Sequence, residues 1–280
     1  MKVMQYIRHH FVRAWRFLPF QACVEINMLI KVYENSLRAE SCKNYLASSR
    51  LAARFSEVIL LPIPSTRDGV TVNGADVSLL DAVSYADEDT LVIGYGIPGE
   101  VSEVLSSFGA TECDVSRDEG FLSANAELTA LGAISVMLES EKKAPRDISV
   151  GVAGYGRIGR ILADRLMYLG SHVRIFTTRE PLRLELASLG IDSAPFPVRL
   201  SDLSGMDILF NTAPAAVFDE NVPPDGDIRI IDLASGAVFP EGVAVERYPS
   251  LPARAFPISA GRILAESVER FLLLGDFGEV

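Results

Sequence analysis

The chain has 280 residues, of which 49% are hydrophobic and 22% charged, with a formal net charge of -11. Its length suits one large or two modest domains, and its acidity argues against a nucleic-acid partner, because phosphate binding needs clustered lysine and arginine. Cys23, Cys42 and Cys113 form no C-x-x-C pair, and neither they nor the three histidines show zinc-ligand spacing. We therefore predict a reduced, cytoplasmic protein without a metal site.

The first thirty residues predict a basic amphipathic helix. Its apolar positions have helical spacing: Ile7, Phe11, Trp15 and Leu18. Charged residues and Pro19 interrupt the apolar stretch, so we predict no membrane span. A membrane-surface helix stays open as an interpretation, but the pattern favours a helix docked on the body of the protein or on a neighbouring protomer.

Alternating helices and strands follow along the first half of the chain. The predicted elements are helices 22–38 and 43–56, strand 58–61, loop 62–75, helix 76–84, strand 90–93, helix 99–108 and strand 110–114. Such alternation at short spacing is typical of a parallel sheet. We predict that residues 1–122 form a smaller, substrate-type α/β domain with a helical N-terminal extension.

The second half predicts a larger parallel sheet. A long apolar helix over 123–140 leads into a break at Pro145, so residues 123–145 are predicted to bridge two domains. Strands are predicted at 148–153, 172–177, 207–212, 228–233 and 243–247, with helices at 157–169 and 180–189. We predict a Rossmann-type doubly wound sheet over 146–258, and a C-terminal helix, within 259–280, that packs back on the first domain.

One glycine-rich run carries the strongest functional signal. Gly154-Tyr155-Gly156-Arg157-Ile158-Gly159 follows an apolar strand and opens a helix, which is the context of a dinucleotide-binding fingerprint. Gly154 permits the tight turn, Gly156 lets the backbone approach a pyrophosphate, and Gly159 lets helix and strand pack closely. The helix N-terminus offers free N–H groups to the phosphates. We predict a bound dinucleotide.

The end of the next strand indicates which dinucleotide. A fold that binds NAD places a carboxylate there for the ribose hydroxyl, whereas this strand ends in Thr177, Thr178 and Arg179. Guanidinium groups suit a 2′-phosphate, so Arg179 and Arg157 favour NADP over NAD. Glu180 stays open as an alternative ribose ligand.

Polar residues also follow the next two strands. They are Asn211, Thr212, Ala213 and Pro214 after one strand, and Asp232 at the end of the other. Two interpretations stay open: cofactor contacts at the carboxyl edge of the sheet, or turn and cap residues without a ligand. Because His172 is the last histidine, imidazole-based hydroxyacid chemistry lacks its base, and we assign no catalytic residue.

The fingerprint and five further segments, taken in chain order, resemble the A chain of dipicolinate synthase. The segments are 61–66, 125–132, 211–215, 232–235 and 251–263. The resemblance implies an NADP-linked oxidoreductase of bacterial sporulation that dehydrogenates a dihydro- or hydroxy-tetrahydrodipicolinate, working beside a flavoprotein that forms the second component of that enzyme. We also expect a homo-oligomer. The candidate substrate-binding residues are Ser65, Thr66, Arg67, Asn125, Thr129, Ser235 and Arg254.

The sequence also departs from that family. Leu131 stands where the family usually has an acidic residue, Gly236 stands where it has lysine, and the loop 249–253 has less glycine. We find no counterpart of the family's first strand and glycine-rich turn in residues 1–45. These departures keep a second hypothesis open, a catalytically silent nucleotide-binding or partner-binding module.

Overall fold

A computed structural model describes residues 28–219 and 228–277. The predicted amphipathic helix near the N-terminus lies outside the described residues. Two parallel sheets with flanking helices make up the described chain. The predicted doubly wound α/β fold with a second, smaller parallel sheet is confirmed.

The smaller sheet has four parallel strands in the order β1-β2-β3-β4. The strands are β1 (Leu29–Val32), β2 (Glu57–Leu60), β3 (Thr90–Gly94) and β4 (Thr111–Asp114), and the helices are α1 (Leu37–Ala47), α2 (Leu79–Val83) and α3 (Gly99–Phe108). Every residue of β3 is buried, as expected for a central strand of a sheet covered on both faces.

The sequence predictions for the start of this sheet were wrong. Residues 29–32 form a strand rather than part of a helix over 22–38, so the chain does have a first strand within residues 1–45. Helix α1 begins at Leu37 and ends at Ala47, and residues 52–54 form only one 3₁₀ turn. Four half-exposed residues are too few for periodicity to separate strand from helix. The helix start is set instead by Ser36, whose side chain accepts a hydrogen bond from the Ala39 N–H at 3.1 Å.

The larger sheet has six parallel strands in the order β7-β6-β5-β8-β9-β10. They are β5 (Ser149–Ala153), β6 (His172–Thr177), β7 (Asp192–Pro195), β8 (Ile208–Asn211), β9 (Arg229–Asp232) and β10 (Val245–Arg247), with helices α5 (Arg157–Tyr168) and α6 (Glu180–Ser188). Five of these strands and both helices were predicted to within two residues, whereas β7, a short polar edge strand, was not predicted. This is the strand order of dinucleotide-binding sheets, which reverse between β5 and β8.

Three further helices connect the two sheets: α4 (Glu119–Ser140), α7 (Leu251–Ala255) and α8 (Pro257–Leu274). Helix α4 packs on α5 and α7, whereas α8 returns to the smaller sheet and packs on α1. A Cβ on Gly261 would come within 2.5 Å of the Arg38 carbonyl oxygen, so α8 and α1 touch backbone to backbone. The predicted domain limits at 122 and 146 stay predictions.

Among the described helices, only α4 is long and apolar enough to span a membrane by length and composition. Its buried residues contribute to the cores of both sheets, since Phe121 packs in one and Met137 in the other. A helix placed between two cores needs apolar residues on more than one face. Packing within the protein therefore accounts for the buried apolar residues of α4.

Candidate functional site

The fingerprint loop lies at the carboxyl edge of the larger sheet, between β5 and α5. The Gly154 N–H donates to the Phe176 carbonyl at 2.9 Å, and the Thr212 N–H donates to the Ala153 carbonyl at 2.8 Å. The loop is thereby held between the ends of β6 and β8. In doubly wound sheets ligands bind in the crevice at this reversal of strand order.

The three fingerprint glycines have different surroundings. Gly154 has a φ of +93°, and a Cβ on it would meet the Thr212 hydroxyl at 2.8 Å. A Cβ on Gly159 would lie 2.1 Å from the Gly154 carbonyl oxygen, so α5 packs directly on the turn. Around Gly156, no atom beyond the adjoining residues of the chain lies within 4 Å of such a Cβ. Two glycines serve packing and the third borders open space at the start of α5, an arrangement that fits a pyrophosphate at the helix N-terminus.

The other three fingerprint residues lie at the beginning of α5 or just before it. Arg157 pairs with Glu119 of α4, with 2.6 Å between the guanidinium nitrogen and the carboxylate oxygen. Tyr155 and Ile158 are half-buried, and burial raises the pKa of the Tyr155 hydroxyl, with Asp164 adding to the effect. Arg157 therefore forms an exposed ion pair with α4, of the kind that contributes about 0–1 kcal/mol.

The end of β6 carries two guanidinium groups. Thr177 is buried, while Thr178, Arg179 and Glu180 are exposed. Arg179 donates to the Tyr155 carbonyl at 3.2 Å, which places its guanidinium on the fingerprint loop. Arg183 of α6 donates to the Thr177 carbonyl at 2.8 Å. Arg183 was not among the predicted site residues, although its position one helical turn after Arg179 was a usable signal.

The polar residues after β8 and β9 bond to one another. Asn211 is fully buried, and its amide donates to the Asp232 carboxylate at 2.8 Å and to the Ala213 carbonyl at 3.0 Å. Its side-chain oxygen accepts from the Ala213 N–H, and Asp232 accepts from the Ala234 N–H. These bonds support the interpretation of Asn211 and Asp232 as residues that hold strand ends.

Thr212, Ala213 and Pro214 lie closer to the crevice. The Thr212 hydroxyl is within hydrogen-bonding distance of the Ala153 and Gly154 carbonyls, at 3.1 and 3.2 Å, and so ties the end of β8 to the fingerprint turn. Ala213 is half-buried and Pro214 is exposed. The segment is thus partly exposed beside the fingerprint turn, while its threonine hydroxyl is used within the protein.

The substrate candidates are dispersed. Ser65 is buried and accepts from the Tyr95 N–H at 2.8 Å, and Thr66 bonds to Asp68. The Thr129 hydroxyl donates to the Asn125 carbonyl at 2.8 Å, which is the one described side-chain hydrogen bond between two of the candidates. The other three are exposed: Arg67, Ser235 and Arg254, of which Arg254 lies over the Tyr248 ring.

Asp68 organises the loop that contains Ser65, Thr66 and Arg67. Its carboxylate accepts from the Val70 and Thr71 N–H groups at 2.9 and 2.7 Å. These backbone bonds, that of Thr71 first, hold the pKa of the Asp68 carboxyl well below its usual range. The carboxylate therefore holds the loop conformation and has no free proton to exchange near neutral pH.

Arg38, which was not among the predicted site residues, places its guanidinium at the carboxyl edge of the smaller sheet. Its Nη2 contacts both carboxylate oxygens of Glu34 at 2.7 Å and the Ile63 carbonyl at 3.4 Å. Glu34 and Ile63 follow β1 and β2, respectively. The spacing of four residues between Glu34 and Arg38 was the available signal. It was not used because both residues were predicted to belong to the helix over 22–38, where such a pair is ordinary.

The described residues offer little for metal or thiol chemistry. Among residues 28–219 and 228–277, no group of three histidine, cysteine or carboxylate side chains could hold a metal ion. Burial raises the pKa of Cys42 to about 12 and raises that of Cys113 as well. Both thiols are therefore protonated near neutral pH and act as small apolar core residues.

By sequence, the chain matches no family model and no curated protein. By structure, it is similar to the A chain of dipicolinate synthase from Bacillus halodurans, with a TM-score of 0.68 and 19% identity over 88% of this chain and 98% of that one. The A chain of dipicolinate synthase from Bacillus subtilis gives 0.67 and 18%, over 89% and 96%. A transhydrogenase from Sinorhizobium meliloti gives 0.55 and 16%, over 87% and 92%. The predicted resemblance to the A chain of dipicolinate synthase is confirmed at the level of the fold.

Proposed function

We propose that this chain, which shares the fold of the dipicolinate synthase A chain, is an NADP-dependent oxidoreductase. One observation carries the proposal: open space lies beside Gly156, where the strand order reverses. Close packing, by contrast, requires the other two fingerprint glycines, Gly154 and Gly159. The substrate we propose is a cyclic dicarboxylate of the dihydro- or hydroxy-tetrahydrodipicolinate type. This choice is supported by the segments that resemble dipicolinate synthase.

The chain's own residues would bind and orient the reactants. The N-terminus of α5 would receive the pyrophosphate, and Arg179 with Thr178 would bind a 2′-phosphate. Thr212 would keep the end of β8 against the fingerprint turn. When bound, the oxidised nicotinamide would supply the hydride acceptor. Loss of a hydride and a proton from a dihydrodipicolinate ring gives an aromatic pyridine dicarboxylate, and a hydroxy-tetrahydrodipicolinate would have to lose water as well. Because aromatisation drives this reaction, positioning of the dianion contributes more than a strong base.

The same resemblance supports further proposals about partners. They are a flavoprotein as second component of the enzyme, a homo-oligomer, and a cytoplasmic role in bacterial sporulation. Exposed apolar side chains at Leu131 and Leu138 of α4 and at Tyr168 of α5 are available for contacts between protomers.

A catalytically silent nucleotide-binding module is the second candidate. Gly236, at the position where the family usually has lysine, has a φ of +86°. A side chain at this φ would be strained, so the backbone here disfavours any return to lysine. Leu131 likewise replaces an acidic group with an apolar one on the exposed side of α4.

Turnover separates the two candidates. Purified protein mixed with NADP+ and freshly generated dihydrodipicolinate is expected to produce NADPH and pyridine dicarboxylate in equal amounts, both followed by absorbance. The Gly156→Ala variant serves as the control that should lose this activity. Tight NADP+ binding without product would contradict the proposed substrate and favour the silent module.

Arg179 is expected to decide the choice of cofactor. Arg179→Ala should weaken NADPH binding by about 10–100-fold, the value of a lost charge-assisted hydrogen bond, and leave NADH binding unchanged. Fluorescence titration measures both affinities. Arg146→Ala removes the same charge from an exposed residue before β5, at the opposite edge of the sheet, and should alter neither affinity. Tighter binding of NADH than of NADPH by the unmodified protein would contradict the proposal and favour Glu180 as a ribose ligand.

A further inference from the structure

In the described part of the chain, one buried side-chain nitrogen or oxygen lacks a hydrogen-bond partner. That atom is the Nε of Arg38. The residue is 4% exposed. An arginine stays protonated at any pH that a protein tolerates, and a buried N–H without a partner costs free energy. Such an orphaned donor on a charged group calls for an explanation.

The neighbours of Arg38 explain only part of its guanidinium. Glu34 and the Ile63 carbonyl both bond to Nη2. These contacts hold α1 against the segment after β2, and they account for a structural role. They leave unused the Nε–H, which points the same way as one N–H of Nη2, so a carboxylate that bound this planar fork would share Nη2 with Glu34.

The position of Arg38 relates it to the dinucleotide crevice. It lies in the first turn of α1, soon after β1, and so at the carboxyl edge of the smaller sheet. The ion pair between Arg157 and Glu119 joins the start of α5, after β5, to the start of α4, after β4. The starts of α5 and α4, which follow the carboxyl ends of β5 and β4, therefore lie next to each other.

We propose that Arg38 binds a carboxylate group of the substrate, with Glu34 as the internal counter-ion that holds the guanidinium in place in the free protein. The identity of that substrate rests on the proposed function, whereas carboxylate binding by Arg38 can be measured without turnover. A cyclic dicarboxylate would present one carboxylate to Arg38 and its ring toward the larger sheet.

Calorimetric titration of the full chain tests this proposal. The probes are pyridine-2,6-dicarboxylate and its neutral dicarboxamide, each with and without NADP+. We expect the dicarboxylate to bind and the dicarboxamide to bind at least about 10-fold more weakly, since it cannot form the charge-assisted fork. Arg38→Gln should weaken dicarboxylate binding by about 10–100-fold, and Arg38→Lys should recover only part of it because an ammonium lacks the fork. Glu34→Gln should tighten binding several-fold, because it removes a competing negative charge.

Arg54→Gln is the matched control, since Arg54 is an exposed arginine on the amino side of β2. It should leave dicarboxylate affinity unchanged. Equal affinity of folded Arg38→Gln and unmodified protein would overturn the proposal. Should Arg38→Gln fail to fold, Glu34→Gln decides, and an unchanged or weaker affinity there overturns it.

The two proposals can fail separately. Dicarboxylate binding that depends on Arg38 in a protein that binds no dinucleotide would overturn the oxidoreductase proposal and leave the role of Arg38 standing. Dinucleotide binding without any dicarboxylate binding would overturn the role of Arg38 and leave the cofactor site standing. Equal binding of the neutral dicarboxamide would also overturn the carboxylate anchor.

Discussion

Replacing Gly156 by alanine is expected to weaken NADPH binding by about 10–100-fold while leaving the free energy of unfolding unchanged. Apart from the residues adjoining it in the chain, the new methyl group would meet no protein atom within 4 Å. It would instead occupy the space through which a pyrophosphate approaches the backbone. Fluorescence titration with NADPH and denaturant unfolding measure the two quantities.

Two other glycines make the comparison decisive. Gly159→Ala should lower both affinity and stability, because its Cβ would lie 2.1 Å from the Gly154 carbonyl oxygen and the turn must move. The stability loss should be about 1–3 kcal/mol or more. Gly99→Ala, which adds a methyl group in open space at the start of α3, should change neither. Unaltered NADPH affinity in Gly156→Ala would contradict the proposed location of the cofactor.

Asp118→Ala is expected to lower the free energy of unfolding by about 2–4 kcal/mol, from a lost helix cap and lost bonds to a charged group. Asp118 accepts from the Gly120 N–H at 2.8 Å at the start of α4. It also accepts from the buried Ser267 hydroxyl at 2.6 Å and from Arg270, both on α8. The substitution therefore loosens the contact between α8 and the smaller sheet. Urea unfolding measures the change.

Glu127→Ala is the control for Asp118→Ala. Glu127 also lies on α4 and pairs with an arginine, Arg165, but both side chains are about half exposed. Exposed ion pairs contribute about 0–1 kcal/mol, so the control should change stability little. Similar losses in the two variants would contradict the assigned role of Asp118.

The contribution of Asp118 should also depend on pH in a defined direction. Burial opposes its ionisation, but the hydrogen bonds from Ser267 and Arg270 outweigh burial and lower its pKa. A carboxyl with a lowered pKa in the folded state stabilises above its unfolded pKa of about 3.9 and loses that effect as pH falls further. The stability difference between the unmodified protein and Asp118→Asn should accordingly be full at neutral pH and shrink below about pH 4. A stability difference between the two proteins that stays constant from neutral pH to below about pH 4 would contradict this prediction.

Local patterns predicted the larger sheet well. Strands β5, β6, β8 and β9 each contain a stretch of apolar residues bounded by clear turns, and α5 shows both the glycine start and the helical period. The fingerprint was recognisable because its chemistry is confined to six consecutive residues. Two edge strands were missed, β1 and β7, whose pairing partners rather than their own residues make them strands.

The roles of individual polar residues were harder to predict. Asn211 and Asp232 were equally consistent with ligand contacts and with strand-end bonds, and their 2.8 Å hydrogen bond exists only because β8 and β9 are neighbours in the sheet. Ser65 is a polar loop residue of the kind that binds ligands, yet its hydroxyl oxygen accepts a hydrogen bond from the Tyr95 N–H, thirty residues away. Arg38 carried no distinctive motif, and its unpartnered Nε follows from burial between α1 and the segment after β2.

The sequence by itself determined the fold class, the place of the glycine turn and the resemblance to dipicolinate synthase, because each of these depends on short-range patterns of apolar, glycine and turn residues. Only the tertiary structure decided which glycine borders open space, that Arg157 pairs with Glu119, and that the Nε of Arg38 has no hydrogen-bond partner. Burial and hydrogen bonding are properties of neighbours in space, and parallel strands bring together residues that lie far apart in the chain.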